Sequence, residues 1–282
     1  MKSYGNDYRF GMIGNGRTTA LIDELGTIIF ACMPDLDSGT VFGALLDREQ
    51  GGEFGIAMAD GHPVGQEYER HTNILVTHFE GESGSFDLID FMPRYTSDKR
   101  ARRGDASSDI VRVLRHRSGE PRLRINYRPR LEYARFPTES FEAGDFIKST
   151  SRGCHHRSGE EIYESLYLFT DLPTADVLSG EEFSLKGDRY LLVSYHDKVQ
   201  KLDADAVNLM LQRTRSYWLL WSARTHRPQR FAENVLRSAS RSRCSSLTRP
   251  ARWRRRRPPR CQRPSGRRAT GTTGSAGSAT PR

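Results

Sequence analysis

Between residues 10 and 198 the apolar positions come in short runs rich in Ile, Val, Phe, Tyr and Thr, punctuated by Gly, Asp, Ser and Pro. Such runs read as strands and the punctuation as turns. The clearest are TIIFACMP (27–34), NILVTHFEG (73–81), FDLIDFMP (86–93), DIVRVLRHRSG (109–119), RLRINYRPRLEY (122–133) and RYLLVSYHD (189–197). Several alternate with period two. In RLRINYRPRL, Leu123, Ile125 and Tyr127 fall on one face while Arg122, Arg124, Asn126 and Arg128 fall on the other. That pattern predicts a half-buried strand with one wet face. Gly81-Glu82-Ser83-Gly84, Ser118-Gly119-Glu120-Pro121 and Lys186-Gly187-Asp188 read as hairpin turns. The expected class is all-β, an antiparallel sandwich. One short helix is predicted at TVFGALLD (40–47).

After Leu202 the period changes. DADAVNLMLQRTRSYWLLWSAR (203–224) opens with a capping Asp203 or Asp205 and then carries Val207, Leu211, Tyr217 and Trp221 at helical spacing. Pro228 should end this helix, and RFAENVLRSA (230–239) should begin a second. Beyond Ala239 the chain is almost wholly Arg, Ser, Pro, Gly, Ala and Thr, with Leu247 and Trp253 its large apolar residues. Such a segment cannot bury enough surface to offset chain entropy. The expected organisation is therefore a sandwich over 1–200, a helical linker over 201–239 and a disordered Arg-rich tail over 240–282.

The tail also explains the charge. Residues 241–282 hold thirteen arginines, no lysine and no acid, so the formal +9 of the whole chain becomes −4 for residues 1–240. A basic nucleic-acid binder would act through the tail alone, and with one aromatic and no regular spacing the tail makes a poor module of that kind; no specific nucleic acid is expected as partner. Four scattered cysteines show no zinc spacing, and no stretch approaches a membrane span. The expectations are a cytoplasmic protein with no cofactor, no metal and no membrane contact.

Candidate chemistry is sparse. Gly14-Asn15-Gly16 lacks the length of a phosphate loop and reads as a tight turn. Cys154-His155-His156 has no companion ligand cluster and reads as a loop. Asp87 and Asp90 could be imagined as an acid–base pair, but three residues apart on a strand they face opposite ways. The Trp218/Trp221 pair reads as helix packing rather than a sugar platform.

Three blocks carry a resemblance. FGMIGNGRTTALIDELGTIIFACMPDLDSGTVFGALLD (10–47), TNILVTHFEGESGSFDLIDFMPR (72–94) and LQRTRSYWLLWSAR (211–224) are similar, in order and spacing, to the N-terminal region of family 15 glycoside hydrolases of the glucoamylase and trehalase type. The likeness covers about residues 4–239, with departures at Phe30-Ala31 and Asp35-Leu36. It implies a sandwich of the supersandwich type that covers a helical (α/α)6 catalytic barrel. It also implies that the full-length parent hydrolyses α-glucosidic bonds in an α-glucan, maltooligosaccharide or trehalose, by inversion, with a glutamate acid and a glutamate base in the barrel. No catalytic residue is then expected in this chain, which alone should be inactive, and its substrate-binding residues stay unassigned. Asn15, Arg17, Trp218 and Trp221 are expected at the interface with the barrel. The alternative is a stand-alone sandwich that binds carbohydrate or a partner.

The same resemblance offers an origin for the tail. When the last base of each codon is joined to the first two of the next, residues 246–263 admit FDPTGAVAAAATTSLPE and residues 268–280 admit RNWDYRFCWIRDA. Both strings resemble what the family carries next. The expectation is a truncation before the barrel by a shifted reading frame.

Overall fold

The computed structural model describes residues 10–94, 107–154, 161–195, 202–226 and 228–245. The strands are β1 (Gly11–Gly14), β2 (Thr19–Ile22), β3 (Ile28–Cys32), β4 (Thr40–Phe42), β5 (Glu53–Met58), β6 (Gly61–Tyr68), β7 (Leu75–Gly81), β8 (Gly84–Phe91), β9 (Ile110–Gly119), β10 (Arg122–Arg128), β11 (Thr138–Glu142), β12 (Phe146–Cys154), β13 (Glu161–Thr170), β14 (Glu182–Ser184) and β15 (Arg189–Tyr195). The helices are α1 (Thr174–Ser179), α2 (Ala204–Arg224) and α3 (Ala232–Ser245). One sheet runs β1-β2-β3-β5-β10-β14, with β4 also on β3; the other runs β11-β12-β13-β15-β9-β8-β7-β6. Every pairing is antiparallel, among the described residues. The chain is an all-β sandwich with helices behind it.

Period-two patterning sorts the second sheet into two apolar faces. Phe86, Leu88 and Met92 join the core between the sheets, with Ile13, Ile28, Phe42, Phe54 and Ile125 opposite. Ile89 and Phe91 point the other way, into a second cluster with Val111, Leu192, Val207 and Leu211. A sheet that is apolar on both sides needs a cover, and α2 supplies it. Its start is fixed by Asp203, whose Oδ1 accepts the Ala206 N–H at 2.7 Å, with Asp205 in the first turn and Arg224 in the last.

Several expectations need correction. Residues 40–47 form β4 and a turn, not a helix. Val41 and Phe42 are fully buried, Thr40 and Phe42 pair with β3, and Gly43 N–H donates to the Gly51 carbonyl at 2.7 Å. Gly81–Gly84 does close the β7–β8 hairpin. The turns at 118–121 and 186–188 instead carry the chain from one sheet to the other, because β10 pairs with β5 and β14 while β9 and β15 pair together. At the first corner Gly119 has φ 66°, and a Cβ there would fall on the Ser83 carbonyl.

The described residues belong to one compact unit. Helix α3 runs to Ser245, six residues past the composition break at Ala239. Leu236, Ser240 and Cys244 recur every fourth residue and are all buried, so small polar side chains continue the packed face that the apolar pattern alone stops describing. The remainder of the expected disordered tail, 246–282, lies outside the described residues.

Candidate functional site

The turn at Gly14–Arg17 is organised by Asn15, which is fully buried. Its Nδ2 donates to the Ser107 carbonyl at 2.6 Å and the Pro93 carbonyl at 3.3 Å. Its Oδ1 accepts from the N–H groups of Arg17 and Thr18 at 3.0 and 3.3 Å. Gly16 has φ 82°, which supports the tight-turn reading. A Cβ on Gly14 would meet the Cys244 Cβ at 2.9 Å, so α3 docks closely here, and Gly16 N–H donates to the Cys244 carbonyl at 2.8 Å. Arg17 Nε donates to Asp35 Oδ1 at 2.9 Å, each side chain 30% exposed.

Next to Pro93, Arg94 is buried with its guanidinium 5.0 Å from the Tyr217 ring and 5.4 Å from the Trp218 ring. Its N–H donates to Thr214 Oγ1 at 3.2 Å and its Nη1 to the Arg243 carbonyl at 3.1 Å. Burial lowers the Arg94 pKa from its ordinary value, and the neighbouring Tyr217 opposes this. Trp218 is 1% exposed and meets Trp221 edge to face at 5.7 Å. The four residues expected at an interface thus form one connected chain, Arg17–Asn15–Pro93/Arg94–Trp218–Trp221. Asn15 and Trp218 lie inside it and Arg17 and Trp221 reach the surface. On the same helix as the two tryptophans, Leu219 and Leu220 are exposed. Arg94 went unnoticed in the sequence, because its partners are 120 and 149 residues away.

The imagined carboxylate pair is split. Asp90 points between the sheets and binds Arg112, both fully buried. Asp87 points outward to His78 Nδ1 at 2.8 Å and to Arg117. Each carboxylate is held by an arginine on its own side of the sheet, so the two cannot flank one bond. No group of His, Cys, Asp and Glu suited to a metal occurs among the described residues. His155 and His156 lie outside them, as does the side chain of Cys154. No described helix is long and apolar enough to cross a membrane.

A model of the family described as trehalase-like, N-terminal, matches residues 6–152. A trehalase of Thermoplasma volcanium is 28% identical over 240 residues, 81% of this chain and 36% of that protein. A trehalase of Thermoplasma acidophilum is 29% identical over 226 residues, 78% of this chain and 36% of its own length. Trehalase 1 of Sulfolobus acidocaldarius is 43% identical over 84 residues, 29% of this chain and 14% of its length. The chain spans about a third of the length of the first two.

Proposed function

This chain belongs to the family of trehalase-like N-terminal domains, and on that premise we propose that it is the accessory sandwich of a family 15 glycoside hydrolase. The whole enzyme hydrolyses an α-glucosidic bond, with trehalose as the first substrate to test and maltooligosaccharides, as for a glucoamylase, the second. Inversion there requires a general acid and a general base roughly 6.5–9.5 Å apart, with room for water between. The observation that carries this reading is the division of Asp87 and Asp90 between two faces of β8, each consumed by an arginine. Asp87 and Asp90 therefore make no acid–base pair, and the sandwich supports a catalytic portion. Arg17 and Trp221, with the exposed Leu219 and Leu220 beside them, face that portion, while Asn15 and Trp218 hold the surface in shape.

A cytoplasmic setting, and an origin of the segment beyond α3 in a shifted reading frame, belong to the same reading. The DNA downstream of the Ala239 codon tests the latter: an offset open frame encoding a barrel supports it. The functional test is glucose release from trehalose and from maltooligosaccharides by the purified chain. The expected rate equals that of a mock preparation. A rate above it on either substrate overturns the accessory role.

A further inference from the structure

The outer face of the second sheet carries two cations that differ from every other strand cation among the described residues. Arg112, Arg115, Arg117, Arg122, Arg124, Arg128 and Arg189 each pair with a carboxylate. Lys148 and Arg152, both on β12, have none among the described residues; their partners there are tyrosine rings. Lys148 Nζ lies 5.7 Å from the centre of the Tyr163 ring and 5.6 Å from that of Tyr167, and Arg152 lies 5.3 Å from Tyr163.

Register explains the grouping. Lys148 is opposite Tyr167, Thr150 opposite Ser165, and Arg152 opposite Tyr163. Side chains at paired positions share a face, so these six form three adjacent rows. The large rings stand in the outer rows, with Thr150 and the buried Ser165 in the row between them. The two rings lie within about 11 Å of one another, because Lys148 touches both. The Lys148 pKa is raised, first by the Tyr163 side chain beside it. Tyr163 remains 43% exposed.

We propose that this face of β12 and β13 is a binding site for a sugar phosphate, with the anion held between Lys148 and Arg152 and the sugar ring lying along Tyr163 and Tyr167. Two cations without carboxylate partners supply the charge-assisted bonds that a phosphate needs. Tyrosines offer an apolar ring and a hydroxyl side by side, which suits a ligand with both C–H faces and hydroxyls. Thr150 adds a hydroxyl between them. A nucleic acid fits less well: two isolated cations on a body of net charge −4 over residues 1–240 are few for a backbone read through many phosphates.

The test is calorimetric titration of the full chain, with glucose 6-phosphate, glucose, inorganic phosphate and a short dT oligomer as probes. The double variant Lys148→Gln/Arg152→Gln serves as reference, because binding to the Arg-rich segment is common to both proteins and cancels. Loss of about tenfold or more in glucose 6-phosphate affinity in the double variant is expected, one charge-assisted contact being worth about that much. Tyr163→Ala should weaken glucose 6-phosphate while leaving inorganic phosphate unchanged, and Lys148→Arg should retain binding. Should the double variant unfold, Arg152→Gln alone, at an exposed position, carries the same comparison. Equal affinity in parent and variant, inorganic phosphate binding as tightly as glucose 6-phosphate, or tighter binding of the dT oligomer through these residues would each overturn the site.

Discussion

Arg112 on β9 and Asp90 on β8 lie directly opposite each other in register, and both side chains are wholly buried between the sheets. Arg112 Nε donates to Asp90 Oδ1 at 2.7 Å and Nη2 to Oδ2 at 3.1 Å. The remaining donors reach the Phe54 carbonyl at 2.5 Å and the Gly26 carbonyl, and the guanidinium lies 4.8 Å from the Phe54 ring. The arginine thus ties the second sheet to the backbone of the first.

Removing one partner of this pair leaves the other charge uncompensated in the core. Asp90→Asn or Arg112→Met should each lower unfolding free energy by about 3–5 kcal/mol. Replacing both with apolar residues of similar volume should cost much less, since desolvation of the pair offsets most of its attraction. Urea unfolding of the two single variants and the double variant checks this. Single variants as stable as the parent would show the pair to be incidental.

The two tryptophans of α2 should respond differently. Trp218 is buried against Arg94 and Tyr217, so Trp218→Ala should cost about 3–5 kcal/mol. Trp221 is half-buried and should cost clearly less in the isolated chain. If Trp221 faces a catalytic portion, Trp221→Ala should leave the melting temperature of this chain nearly unchanged while weakening association with that portion. Equal losses of stability at both positions would assign both to packing alone.

Asn15 offers a third test. Asn15→Ala leaves the Pro93 and Ser107 carbonyls and the Arg17 and Thr18 N–H groups without their partner. A cost of about 2–4 kcal/mol is expected, because buried polar groups left unmade are expensive. Asn15→Asp keeps the two accepting contacts and loses the two donated ones, so its stability should fall between the two. Thermal melts of the three proteins measure the order parent, Asp, Ala.

Much of this architecture was legible in the sequence. Leu123, Ile125 and Tyr127 are buried and Arg122, Arg124 and Arg128 exposed, as their alternation required. The cap was narrowed to Asp203 or Asp205, and Asp203 fills it. The face of α2 was mis-phased: Val207 and Leu211 are buried as expected, but Thr214, Trp218 and Ser222 complete the stripe instead of Tyr217 and Trp221. Threonine and serine on a packed face do not register in an apolar pattern, although their small size is what lets the helix sit close. Nor could local turn chemistry tell a hairpin from a corner, since that depends on which distant strand pairs next. Asn15 was among the residues singled out, but the contacts its Nδ2 makes, like those of Arg94, were beyond reach for the same reason, their partners lying 78 to 149 residues away.

Cys244 gives the last prediction, and its sign can be worked out. The thiol is fully buried where α3 meets Gly14, and burial pushes its pKa up to about 12, with Arg237 and Arg94 opposing. An exposed thiol in the unfolded chain titrates near about 8.5. Between those values the folded chain keeps a proton that the unfolded chain releases, so stability falls as pH rises through this window and is unaffected below it. The slope from this one group is at most about 1.4 kcal/mol per pH unit. Denaturant melts at pH 8, 10 and 11 should show the decline, and Cys244→Ala should make it shallower at the cost of a lower starting stability. The native chain at pH 8 should also protect the buried Cys32 and Cys244 from a thiol reagent that labels both after unfolding. Labelling of Cys244 in the folded protein, or an identical pH slope in the Cys244→Ala variant, would show that α3 does not hold its C-terminal turn against the Gly14 loop.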